Sequence, residues 1–124
     1  MKLVVREAET DALRQLLARF RVAATSRVST VEVPRALTRA GERAASESAV
    51  PELFQRVMVL ELDASVADAA GRLGPATLRS LDAIHLASAL ALRPELEALV
   101  TYDDRLARAA RAFDLVVESP GHEP

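Results

Sequence analysis

Short runs of β-branched and aliphatic residues alternate along this chain with longer stretches whose apolar positions recur at helical spacing. Val22-Ala23-Ala24-Thr25 and, more strongly, Val57-Met58-Val59-Leu60-Glu61-Leu62 read as buried strands, and Leu99-Val100-Thr101 and Leu115-Val116-Val117 as short apolar runs of strand type. Between them a period near 3.6 predicts helices near 9–20, 29–44, 64–73, 80–92 and 103–111. This alternation predicts an α/β fold, with a short, mostly parallel sheet flanked by helices. Pro51, Gly74-Pro75 and Pro94 punctuate helix starts or stops. No repeat, low-complexity tract or linker interrupts the pattern, so a single domain over 1–124 is expected, with 118–124 a loose tail.

One segment departs from the amphipathic rule. In Leu81-Asp82-Ala83-Ile84-His85-Leu86-Ala87-Ser88-Ala89-Leu90-Ala91-Leu92 the apolar residues cover every side of a helix, which predicts a buried one. Its first turn nevertheless carries the carboxylate of Asp82. A buried charge is costly unless a cation or hydrogen-bond donors meet it, so a counter-group for Asp82 is expected.

Composition narrows the chemistry. The chain has 124 residues, half of them hydrophobic and 27% charged, which suits a globular domain. A net charge of −2 gives no overall attraction to polyanions, so such a partner must meet a local basic patch. The absence of cysteine excludes disulfides, thiolate zinc sites and a cysteine nucleophile. Two histidines, His85 and the tail residue His122, leave little for a histidine metal site. His85 lies three residues after Asp82, but it reads as a packed helix histidine rather than a general base. No signal peptide or long apolar run is present, so no membrane association is expected and a cytoplasmic location is the default. Fifteen arginines against one lysine match a GC-rich coding bias, so the choice of Arg over Lys carries little chemistry.

Three acids stand at helix starts. Glu32 follows Ser29 by three residues, the spacing of a capping box, and is equally a candidate functional acid. Asp103 comes just after the strand-like Leu99-Val100-Thr101, where an N-cap is common and where open parallel sheets also bind ligands. Asp82 has a helix-dipole reading and a possible pair with Arg79, but its apolar helix favours a functional role. Acids at successive helix starts of an α/β sheet can converge on one edge. Their mutual repulsion is relieved by a divalent cation, and oxygen-only donors favour Mg²⁺ or Mn²⁺ over Zn²⁺. Such a site suits phosphodiester hydrolysis.

Three stretches resemble the PIN-domain family, specifically the VapC-type toxin ribonucleases. Ser26-x-Val28-Ser29-x-x-Glu32 is similar to the segment that holds the family's second acid. Ser80-Leu81-Asp82-Ala83-Ile84-His85-Leu86-Ala87 resembles its most recognisable motif, with the third acid at Asp82. Val100-Thr101-Tyr102-Asp103-x-Arg105-Leu106 resembles the strand-end segment that carries the fourth. The resemblance implies a PIN-like fold and a metal-dependent endoribonuclease, the toxin of a type II toxin–antitoxin pair. It implies Asp82 and Asp103 as direct or water-mediated ligands of Mg²⁺ or Mn²⁺, and Glu32 as a further ligand or a water-orienting group. It also implies a VapB-like antitoxin partner and a homodimer.

The family usually begins with a strand ending in an aspartate, its first acid. Here Met1-Lys2-Leu3-Val4-Val5-Arg6-Glu7 resembles the segment that follows that aspartate. The N-terminal strand and first acid are therefore expected to be missing, with the true start upstream of Met1. At about 25 cal/mol per Å² of apolar surface, a lost buried strand costs several kcal/mol. In-frame codons for Asp-Ser/Thr-Ser/Ala ahead of Met1 are the expected sign of an upstream start. A chain that truly starts at Met1 is expected to be a weak or inactive enzyme, its sheet completed by a partner or another copy.

Arg35, Arg39 and Arg43 share a side of the predicted 29–44 helix with Glu32, and Val33, Leu37, Ala40 and Ala44 form the neighbouring apolar face. The arginines form either a track for an RNA backbone or an ordinary solvated face. Arg79, three before Asp82, and Arg105, two after Asp103, are placed to touch a scissile phosphate or to pair with the acids. Three Phe and one Tyr leave little for base stacking, so single-stranded RNA would be met through backbone and shape. The competing reading is a catalytically impaired PIN-like module that binds an antitoxin-like protein or RNA. A DNA nuclease shares the chemistry and differs in substrate.

Overall fold

The computed structural model describes residues 10–19 and 22–121, which divide into two compact units. The first holds the described residues up to Leu60 together with Pro120 and Gly121, and the second runs from Glu61 to Ser119. The expectations for Met1–Glu7 and for His122 fall outside the described residues.

In the first unit α1 (Thr10–Ala18) buries Leu16. It precedes β1 (Ala24–Ser26), α2 (Ser29–Arg39), α3 (Arg43–Gln55) and β2 (Met58–Leu60). The two strands pair in parallel, with Ala24 opposite Met58 and Ser26 opposite Leu60. The Met58 and Arg27 amides extend the ladder by donating to the Ala23 and Leu60 carbonyls, each at 2.8 Å. Parallel neighbours need a long crossover, and α2 and α3 supply it.

The helix predicted over 29–44 stops at Arg39, and α3, a helix not predicted beyond residue 44, follows it from Arg43 to Gln55. α2 ends in a Schellman motif: the Gly41 amide donates to Thr38 O (3.1 Å) and the Glu42 amide to Leu37 O (2.8 Å). Gly41 takes φ +79°, a conformation that costs any residue with a Cβ. Arg43 consequently opens α3 and does not continue the Arg35–Arg39 face. Pro51, predicted to punctuate a helix, lies inside α3, next to the buried Val50. Burial there outweighs the one amide hydrogen bond that proline forgoes.

The second unit comprises α4 (Ala64–Arg72), α5 (Ser80–Ala91), β3 (Leu99–Val100), α6 (Asp104–Ala112) and β4 (Val117–Glu118). α4 starts at Asp63, whose Oδ1 accepts from the Val66 amide at 2.9 Å. This cap explains why the run predicted as a strand to Leu62 stops pairing at Leu60. β3 and β4 pair in parallel, Leu99 opposite Val117 and Val100 opposite Glu118. Glu118, expected in the tail, is therefore a strand residue, and the Ser119 hydroxyl donates to Thr101 O.

α5 organises this unit. Leu86 and Ala89 pack with Leu106, Ala109, Ala110 and Leu115, while Ala83 and Ala87 meet Val66 and Ala70 of α4. Alanines at these positions let the helices approach closely. Buried Ser88 is satisfied by donating to Ile84 O at 2.8 Å. Burial is not complete around the helix as its composition predicts, since Leu81 in its first turn stays 45% exposed. Among the described residues strand pairing is parallel, in one two-stranded sheet per unit, and with six helices this bears out the α/β class.

Candidate active site

Asp103 lies at the end of β3, as N-cap of α6. The Thr101 hydroxyl accepts a hydrogen bond from the Asp103 amide at 3.1 Å and so fixes the turn out of the strand. The Asp103 Oδ1 accepts from the Arg105 amide (2.8 Å) and the Leu106 amide (3.0 Å). The capping reading of Asp103 thus holds, but it occupies only one of the two carboxylate oxygens. Oδ2 faces the Arg79 Nη2 at 3.3 Å.

Asp82 projects from the first turn of α5, with its side chain only 14% exposed. Its Oδ2 lies 3.4 Å from the Arg79 Nε. The counter-group demanded by this carboxylate is therefore Arg79, the residue just before α5. One guanidinium spans two acids from separate helices, using a different nitrogen for each. Asp103 is 36% exposed and Arg79 64%, so the acids sit deeper than the cation that bridges them.

This assembly is a seat for positive charge. Two carboxylate oxygens aimed at one small region match part of the oxygen donor set of a hard divalent ion. Among the described residues, no group of three or more His, Asp or Glu side chains could hold a metal ion. The donors that demonstrably converge are therefore Asp82 and Asp103.

The remaining predicted residues are placed as follows. Glu32 is half-buried in the first turn of α2, in the first unit. Its capping-box partner is otherwise engaged: Ser29 is the buried first residue of the helix, and its Oγ pairs with the Thr25 Oγ1 at 2.7 Å. The cap position is Val28, with no side-chain cap. Its amide donates to the Ser26 Oγ at 3.3 Å. The serines of the Ser26-to-Glu32 stretch therefore shape the turn into α2, and the capping box is not formed. Arg35 and Arg39 are exposed on α2. Arg105 is exposed in the first turn of α6, and its side chain is not among the ion pairs that engage the acids. His85 is half-buried on α5.

Sequence reasoning missed Thr101 as the residue that orients Asp103. Its signal is a hydroxyl two residues before an acid at a strand end. The double engagement of Arg79 had no local signal, because Asp103 is 24 positions away.

The PIN domain family matches residues 1–112. Ribonuclease VapC46 of Mycobacterium tuberculosis (strain ATCC 25618 / H37Rv) is 42% identical over 120 residues, covering 97% of this chain and 91% of the relative. Ribonuclease VapC47 of Mycobacterium tuberculosis (strain CDC 1551 / Oshkosh) is 43% identical over 124 residues, covering 97% and 90%. Ribonuclease VapC35 of the same strain is 42% identical over 130 residues, covering 98% and 91%. No solved structure matches the chain. The family match spans most of the chain and includes all three acids, and the relatives align over nearly its full length: the chain belongs to the PIN-domain family, in its VapC-type branch.

Proposed function

We propose that this protein is a toxin ribonuclease that hydrolyses RNA phosphodiester bonds at the Asp82–Asp103 site. The observation that carries the reading is the convergence of these two carboxylates on one cation. The names of the relatives, each a ribonuclease, support the substrate class.

Asp82 and Asp103 fit a hard divalent ion, Mg²⁺ or Mn²⁺. When bound, such an ion lowers the pKa of a coordinated water and neutralises charge building on the phosphoryl oxygens. In the hydrolysis, water oxygen bonds to phosphorus, one bridging P–O bond breaks, and the leaving oxygen takes up a proton. Asp82 is held by a buried helix and Asp103 by its capping bonds, so both donors are preorganised. For Glu32, in the first unit, a role as further ligand or water-orienting group rests on the family resemblance alone. Arg105, Arg35 and Arg39 contact the RNA backbone, as does Arg79 once it leaves the acids. In the cell the protein is the toxin of a type II pair, cytoplasmic and homodimeric, and a VapB-like antitoxin masks the acids. No helix among the described residues is long and apolar enough to cross a membrane.

The test is cleavage of a single-stranded RNA substrate with Mg²⁺ or Mn²⁺, with EDTA, and with Asp82→Asn. Ion-dependent cleavage that EDTA and Asp82→Asn both abolish supports the enzyme. A folded chain that binds no divalent ion yet binds RNA or an antitoxin-like protein overturns it in favour of a non-catalytic module.

A further inference from the structure

The two acids are already answered by a cation that belongs to the chain. We infer that Arg79 is a built-in counter-cation, which holds Asp82 and Asp103 in register while they are metal-free and must release them for a divalent ion to bind. This rests on the acid pair being the metal site of the proposed function.

Three features support it. First, the only oxygen of Asp103 not committed to capping α6 is Oδ2, and Arg79 takes that atom. A divalent ion seeking Asp103 meets the same oxygen. Second, the guanidinium reaches both acids only because its fork is planar and its nitrogens are spaced; an ammonium presents one point of charge. Third, the contacts are releasable. At 3.3 Å and 3.4 Å they are long for charge-assisted bonds, and the arginine is 64% exposed. Pairs whose cation stays this exposed are screened by water, and a guanidinium and a divalent ion on the same two oxygens repel. Arg79 also precedes α5 with extended backbone (φ −72°, ψ 157°), so its side chain can leave without unwinding the helix.

The experiment is a Mn²⁺ titration of the full chain without RNA, read by calorimetry and by electron paramagnetic resonance of free Mn²⁺. Wild type is compared with Arg79→Ala and Arg79→Lys, and urea unfolding in EDTA is followed alongside. Arg79→Ala is expected to bind Mn²⁺ about three- to tenfold more tightly, on the scale of two partly exposed ion pairs, and to unfold at lower urea in EDTA. Arg79→Lys keeps the charge but loses the fork, and its affinity is expected to move part of the way towards Arg79→Ala. The inference is overturned if Arg79→Ala binds Mn²⁺ no more tightly than wild type; the proposed metal site then still stands. If Arg79→Lys matches wild type while Arg79→Ala binds more tightly, the counter-cation is supported and its charge, not the guanidinium fork, is what competes with the ion. If neither wild type nor Arg79→Ala binds Mn²⁺, the metal reading itself fails. Should circular dichroism show Arg79→Ala misfolded, Arg79→Gln replaces it under the same criteria.

Discussion

Replacing Asp103 by Asn and by Ala separates two roles that its carboxylate oxygens play. Oδ1 receives two backbone amides at the start of α6, and Oδ2 faces Arg79. Asparagine keeps an oxygen acceptor for the cap and loses only the charge. That charge contributes about 0.3–1 kcal/mol at a helix N-terminus. Alanine also removes the cap, at a further cost of about 1 kcal/mol. The ion pair with Arg79 is partly exposed and adds about 1 kcal/mol at most, similarly in both variants. Asp103→Ala should therefore be less stable than Asp103→Asn by about 1 kcal/mol, or a few degrees in melting temperature for a chain of this size. Activity should not follow that order. Both variants lose the anionic donor, so both should lose metal-dependent RNA cleavage by about 100-fold or more. Urea unfolding by circular dichroism and cleavage of a fluorogenic RNA measure the two quantities. Equal destabilisation by Asn and Ala would refute the capping role of Oδ1. Wild-type cleavage by Asp103→Asn would refute its role as an anionic donor.

Further expectations follow from burial and backbone. Leu86→Ala, at a fully buried position, should cost about 2–5 kcal/mol in urea unfolding; a cost below 1 kcal/mol would show that the second unit's core is not centred on α5. Gly41→Ala should destabilise by about 1–2 kcal/mol although open space surrounds a Cβ there, because φ is +79°. Asparagine at the same site should cost less, and equal values would contradict the Schellman end of α2. Arg105→Glu should weaken binding of a non-cleavable oligonucleotide and flatten its salt dependence by about one to two counterions. An unchanged slope would place the backbone track elsewhere.

Apart from α3, which was not predicted, the element order was legible because periodicity reports which face of a segment is apolar, and the other helices and strands lie within a few residues of their predicted places. The break at Gly41 was harder to read: Leu37, Ala40 and Ala44 carry helical spacing straight through it. What stops α2 is backbone bonding to the Leu37 and Thr38 carbonyls, which side-chain pattern does not encode. Pro51 misleads in the opposite sense, because local propensity argues for a boundary where burial of Val50 favours continuing the helix.

By itself the sequence determined the α/β class, the family and the identity of the candidate acids, since each depends on residue type and short-range spacing. The Ser29–Glu32 spacing left capping and function undecided, and the structure removed the capping box by placing Val28 at the cap, with the Glu32 amide donating to Val28 O. The charge on Asp82 demanded a counter-group, and Arg79 was a local candidate three residues away. That the same arginine also reaches Asp103 depends on α5 packing against α6 through Leu86, Leu106 and Ala110. Side chains 24 positions apart are brought together by burial of apolar surface rather than by any local rule. Tertiary structure alone therefore decided that the two aspartates share one cation.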